Sequence, residues 1–122
     1  MDEADDRKEV ALLFVYGSLR RGCDNDEARV LHAGGDWVGT GRVQGSLGEI
    51  DGYPALRLDA GGEHIEGDLF HMRDPDAMLA YLDIYEGCAP DSPMPHDYRR
   101  MVAPVFTASS ESHAWLYVAN AA

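Results

Sequence analysis

Tyr16-Gly17-Ser18-Leu19 follows the first strand-like run of the chain, and Glu86 closes its clearest amphipathic helix. A tight turn after a buried strand offers consecutive backbone N–H groups, which form a concavity for anions. The Ser18 hydroxyl adds one more donor. Such donors suit a carboxylate or a developing oxyanion. A carboxylate at the end of an apolar helical stripe is a candidate general acid/base. Together the two features point to an enzyme acting on a small polar substrate.

Glu86 shares a helical face with Leu79 and Leu82, at i, i+3 and i+7. Partial burial there disfavours the charged form. The negative end of the helix dipole acts in the same direction. A raised pKa is therefore expected. The bland alternative is a solvated carboxylate at a frayed helix end, the commoner fate of a glutamate. Gly17 permits a conformation with positive φ and lets a ligand approach the backbone. Its bland alternative is an ordinary strand-to-loop turn.

The elements that must position these residues are readable in outline. Val10 to Tyr16 is a continuous apolar run stopped by Gly17, long enough for a strand buried on both faces. Asp26 to His32 suits a short helix capped by Asp24 or Asn25. Between Gly34 and Gly52 a glycine recurs every few residues among apolar ones, which suggests bent or bulged strands in a small curved sheet. Pro54 to Leu58 and His64 to Met72 read as strands joined at Gly61-Gly62. Asp74 and Pro75 start the main helix, Met78, Tyr81, Leu82 and Tyr85 widen its apolar face, and Gly87 ends it. Cys88 to His96 carries Pro90, Pro93 and Pro95 and reads as a stiff loop. Tyr98 to Thr107 and Ser112 to Ala119 read as the last two strands. Five or six strands with one real helix inserted late make an α+β pattern rather than alternating βαβ units.

The 122 residues suit one domain and one core. Residues 1–9 read as an acidic, disordered tail and 10–122 as the single domain. The net charge of −12 argues against nucleic acid and against anionic membrane surfaces. No apolar run approaches the ~20 residues that span a bilayer. Lys8 is the only lysine, so no Schiff-base lysine is expected inside. Cys23 and Cys88 make neither a disulfide framework nor a zinc site and point to the reducing cytoplasm. His32, His64, His71, His96 and His113 show no metal-ligand spacing.

Six segments in order resemble the gamma-glutamylcyclotransferase-like family, which includes gamma-glutamylamine cyclotransferases and AIG2-like proteins. They are Phe14 to Gly22 (FVYGSLRRG), Gly52 to Leu56 (GYPAL), Glu66 to Phe70 (EGDLF), Leu82 to Gly87 (LDIYEG), Tyr98 to Arg100 (YRR) and Ala114 to Val118 (AWLYV). The resemblance implies a small mixed β-barrel with one main helix and short flanking helices. It implies cyclisation of a gamma-glutamyl group to 5-oxoproline with release of an amine or amino acid. Tyr16, Gly17, Ser18 and Leu19 would then bind the small-molecule gamma-glutamyl substrate, and Glu86 would be the catalytic acid/base. The reaction requires no cofactor and no metal. Oligomeric state stays open.

Other signals are weaker. Gly39, Gly41 and Gly45 are one residue off a dinucleotide fingerprint and lack a following helix, so they read as strand glycines. Arg20 stands where a GxSxG elbow needs glycine. Tyr98 reads as core packing more than as a donor. Arg100 reads either as a ligand for a substrate carboxylate or as a surface residue. A thiol nucleophile at Cys23 or Cys88, paired with His32 or His96, is the third functional reading. The second is a non-catalytic binding module on the same fold.

Overall fold

The computed structural model describes residues 10–120; the acidic tail expected at 1–9 lies outside them. Six strands and two helices run in the order β1 (Leu12–Val15), α1 (Asp26–Gly34), β2 (Gly35–Ile50), β3 (Tyr53–Leu58), β4 (Glu63–Met72), α2 (Pro75–Tyr85), β5 (Tyr98–Phe106) and β6 (Glu111–Ala119). Strands β2, β4, β1, β6 and β5 are neighbours in that order, and β5 returns to β2 through the pair Arg42↔Phe106. The ring is thus a closed five-stranded barrel, with β3 attached to the far half of β2. It is mixed, because β1 runs antiparallel to β4 and parallel to β6.

Strand β1 sits between two apolar layers, as its unbroken hydrophobic run predicts. Phe14 points into the barrel with Val43, Leu69, Val105 and Leu116. Leu13 and Val15 point the other way, into a layer shared with Leu31 of α1 and with Leu79 and Leu82 of α2. The strand therefore has no solvent face, and Tyr16, the residue after it, packs against the barrel layer.

The glycine-rich stretch is one continuous strand rather than several bent ones. Its single irregularity is the register shift between Trp37 and Gly39 against β4. The glycines mainly permit close packing in a narrow barrel. A Cβ at Gly67 of β4, for instance, would fall on the Val15 carbonyl and 2.5 Å from Cζ of Phe14. Any side chain there would displace the end of β1 that carries Tyr16.

Both helices start on side-chain caps. Asn25, one of the two expected cap residues, accepts from Ala28 N–H at 2.7 Å, and Asp74 accepts from Ala77 N–H at 3.3 Å. Helix α2 buries Met78, Leu79 and Leu82. Tyr81 is 37 % exposed and Tyr85 36 %, so the apolar face is narrower than expected. The tyrosines lie at its margin, where a phenol can keep its hydroxyl in solvent.

Candidate active site

Helix α2 ends in a geometry that fixes Glu86. Gly87 has φ +74°, its N–H donates to Ile84 O at 3.1 Å, and Cys88 N–H donates to Asp83 O at 2.9 Å. This pair of reverse bonds around a left-handed glycine is a Schellman cap. The Glu86 N–H itself closes the last turn on Leu82 O at 2.8 Å. Nothing crowds a Cβ at Gly87, so the only penalty for a side chain is the backbone. Gly87→Ala should therefore lower stability by about 1 kcal/mol, and Gly87→Asn by less, because Asn tolerates this conformation. Paired urea melts would check both; equal stability for all three proteins would mean the cap does not hold the helix end.

Glu86 borders a cavity of about 260 Å³. Phe14 to Leu19 form one wall at the end of β1, Tyr53 and Pro54 of β3 a second, and Tyr98 of β5 with Tyr117 of β6 a third. Tyr85 and Glu86 close it from the end of α2. The structure thus brings Tyr16, Gly17, Ser18, Leu19 and Glu86, far apart in the chain, into one cavity. Tyr53, Pro54, Tyr85 and Tyr117 are lining residues that sequence reasoning did not single out. All four stood within the quoted segments, and Tyr85, next to Glu86 in the chain, carried the one local signal.

Burial, and then the charge of Asp83, push the Glu86 carboxyl up to about 7. Among the described residues no arginine or histidine forms an ion pair with it. Arg100 is instead committed to Asp83 through two parallel bonds, Nε to Oδ1 at 2.8 Å and Nη2 to Oδ2 at 3.0 Å. It is therefore neither a surface arginine nor free to meet a substrate carboxylate. Tyr117 donates its hydroxyl to Asp83 Oδ1 at 2.7 Å, and Arg100 lies 4.4 Å from the Trp115 ring centroid. Asp83 is thus a shared acceptor one helical turn below Glu86.

The loop after β1 is held from several sides. The Tyr16 hydroxyl donates to Tyr117 O at 2.7 Å and accepts from Leu56 N–H at 3.1 Å. Both its functions are used within the protein, and burial raises its pKa well above the usual phenol range. Tyr16 therefore offers the cavity its ring rather than a proton. Asn25 Nδ2 donates to Ser18 O at 2.7 Å, and the Ser18 and Tyr85 hydroxyls stand 3.0 Å apart. Past Leu19, the buried Asp68 carboxylate takes Arg21 N–H at 2.9 Å and Arg20 Nε at 3.1 Å. Its other oxygen accepts from Trp37 Nε1 at 3.2 Å. These bonds hold the carboxylate in its charged form below the usual range, against the burial that opposes it.

Gly17 does not use the positive φ that a glycine permits. The left-handed residue of this loop is Gly22, at φ +97°, and Gly17 is not among the positive-φ glycines. A Cβ at Gly17 would meet Pro54 Cγ at 3.4 Å, an ordinary contact. Its glycine keeps space open toward Pro54 rather than relieving strain. Among the described residues no acceptor pairs with the N–H groups of Gly17, Ser18 or Leu19.

Tyr98 lines the cavity and donates its hydroxyl to Pro54 O at 3.0 Å, which ties β5 to the wall opposite. Neither cysteine lines the cavity. The Cys23 thiol faces Gly17 O at 3.7 Å, and burial with Asp83 beside it pushes the Cys88 thiol up to about 11. His32 bonds Leu19 O and His96 bonds Ser92 O, so no thiol–imidazole pair forms among the described residues. The arrangement disfavours a thiolate nucleophile.

Comparison with known proteins adds a family. Residues 13–122 match the family described as gamma-glutamyl cyclotransferase, AIG2-like. A human protein named gamma-glutamylaminecyclotransferase is 32 % identical in a 90-residue alignment, and the match covers 65 % of this chain and 55 % of that protein. The chain thus spans about half the length of that curated relative. Among solved structures, YkqA from Bacillus subtilis superposes with a TM-score of 0.67 at 25 % identity, over 90 % of this chain and 36 % of its own. An AIG2-like protein from Mus musculus gives the same score and identity, over 90 % of this chain and 77 % of its own.

Proposed function

This chain belongs to the gamma-glutamyl cyclotransferase, AIG2-like family, and on that footing we propose that its cavity cyclises a gamma-glutamyl group to 5-oxoproline and expels the attached amine. The observation that carries the proposal is Glu86, a half-buried carboxyl with pKa about 7 and no ion-pair partner among the described residues. It borders the same cavity as the open N–H groups of Gly17 to Leu19.

The balance of the reaction fits one such group. The substrate's alpha-nitrogen begins as an ammonium. Glu86 as carboxylate takes a proton from it, and the freed amine attacks the gamma-carbonyl carbon. A carbon–nitrogen bond forms and the carbonyl oxygen becomes an oxyanion. The bond to the leaving nitrogen then breaks while Glu86 returns protons to it. Two protons leave the alpha-nitrogen in all, and two reach the departing amine. A pKa near the working pH suits a group that must both take and give. Donors in the loop would hold the substrate's alpha-carboxylate and the oxyanion. Holding the substrate folded, with amine against carbonyl, makes the step intramolecular and removes much of the entropic barrier.

A binding module without chemistry would be favoured by a closed cavity or by Glu86 locked to an arginine. Neither holds here, since the cavity is formed and Arg100 is engaged by Asp83. The test is a panel of gamma-glutamyl amines and gamma-glutamyl dipeptides, with 5-oxoproline as the readout. Release from at least one member is expected. Binding of the panel with no release from any would contradict the proposal. Gly17→Val places methyl groups beside Pro54 and should weaken ligand binding without unfolding the protein. Undiminished binding by a folded Gly17→Val variant would remove the loop from the site.

A further inference from the structure

Three consecutive carbonyls of the loop after β1 are held by side chains of α1 and of the segment that leads into it. The Cys23 thiol faces Gly17 O at 3.7 Å, Asn25 Nδ2 donates to Ser18 O at 2.7 Å, and His32 Nε2 donates to Leu19 O at 3.0 Å. The His32 ring is itself stacked on Phe70, with ring centroids 5.1 Å apart. In a trans peptide the carbonyl and the following N–H point in opposite directions. Holding Gly17 O and Ser18 O toward α1 therefore turns the N–H groups of Ser18 and Leu19 away from it. Neither N–H has an acceptor among the described residues, and both residues line the cavity.

Asn25 makes the shortest of the three contacts and uses both ends of its amide. Oδ1 accepts from Ala28 N–H at 2.7 Å, which caps α1, while Nδ2 reaches Ser18 O. An amide offers an acceptor and a donor side by side in one rigid plane. Serine or aspartate would cap the helix about as well. Neither would hold Ser18 O, because the serine hydroxyl is a single short atom and a carboxylate has no donor. The start of α1 therefore does not by itself account for an asparagine here.

We infer that Asn25 is a positioning residue: it fixes the Ser18–Leu19 peptide so that the Leu19 N–H meets the carboxylate of the gamma-glutamyl head. The inference rests on the loop binding that carboxylate, as proposed above, and gives Asn25 a task beyond capping α1.

The probe is 5-oxoproline, which keeps the head's carboxylate and binds without turnover. Asn25→Ser keeps an acceptor for Ala28 N–H and removes the donor to Ser18 O. Its stability in urea melts should stay close to the parent's, while calorimetry should show about tenfold weaker affinity for 5-oxoproline. In nitrogen-15 NMR the Leu19 amide should shift as the parent binds 5-oxoproline, and most of that shift should be lost in the variant. For the panel amide that the parent cleaves fastest, kcat/KM should fall by a similar factor, through KM. Asn25→Asp is the second variant; its added charge repels a carboxylate on its own, so it is compared with the parent in about 0.5 M NaCl. Undiminished affinity in a folded variant would overturn the inference. So would stability lost in step with affinity in both variants, or a Leu19 amide that ignores 5-oxoproline in the parent. None of these results touches the cyclisation if the panel releases 5-oxoproline. If the panel releases none, the cyclisation reading fails, and the binding and NMR results alone uphold or overturn the role of Asn25.

Discussion

Glu86→Gln should slow 5-oxoproline release by about 10²- to 10⁴-fold while the protein stays folded and binds its substrate. The amide keeps the shape of the side chain and removes only its ability to take and return a proton. A loss in kcat larger than any change in KM is the expected signature. The same substitution should stabilise the protein at high pH. Folding raises the Glu86 pKa from 4.5 to about 7. Below 4.5 both states hold the proton and nothing is lost. Between these values the unfolded chain releases its proton while the folded one keeps it, so stability falls as pH rises. Above about 7 the full penalty applies, up to about 3 kcal/mol for a displacement of this size. Urea melts should therefore show the variant ahead of the parent at pH 8 and the gap closing toward pH 5. A variant that is less active but no more stable at pH 8 would mean that Glu86 is not held in a desolvated position.

Arg100→Ala should destabilise the protein by about 3 kcal/mol, far more than an exposed ion pair would suggest. The reason is what it leaves behind. The Asp83 side chain is 15 % exposed, and its two oxygens take both Arg100 bonds. Without them a largely buried carboxylate keeps only the Tyr117 hydroxyl and a weak thiol contact. Arg100→Lys should fall between the two, since an ammonium keeps the charge but neither the paired geometry nor the planar stacking on Trp115. A consequence for function follows through Asp83, whose charge already contributes to the high Glu86 pKa. With Arg100 gone that charge is less compensated, so the ascending limb of the pH–rate profile should move to higher pH. Asp83→Asn should move it lower. Destabilisation below about 0.5 kcal/mol for Arg100→Ala would place the pair with ordinary surface pairs.

The sequence discloses the local devices of this fold better than its long-range ones. Strand β1 is legible because burial on both faces leaves an unbroken apolar run. Helix α2 is legible because Asp74, Pro75 and Gly87 mark its ends with side chains and backbone demands of their own. Glu86 stands out as the polar residue that completes an apolar stripe. The continuity of β2 is not legible, because glycines that allow close packing look the same as glycines that break a strand. Gly17 shows the same ambiguity: it makes room for a cavity and carries no positive φ. Tyr81 and Tyr85 count as apolar in a helical pattern, although a phenol at the margin of a face can stay half in solvent. The Asp83–Arg100–Tyr117 group is the plainest omission. Its partners are separated by 17 and 34 residues, and nothing local marks an aspartate as the acceptor of both. The segments resembling a known family contained all three residues but assigned them no contact.

The proposed cyclisation requires Glu86 to exchange a proton near neutral pH. The most direct measurement is a carbon-13 NMR titration of the Glu86 carboxyl in the folded protein, set beside the pH dependence of kcat/KM. The expected result is a carboxyl pKa of about 7 and an ascending limb of kcat/KM at the same value, with the resonance absent in Glu86→Gln. A carboxyl that titrates at or below the ordinary 4.5 would contradict the account, because such a group would be a permanent carboxylate with little capacity to return protons to the departing amine.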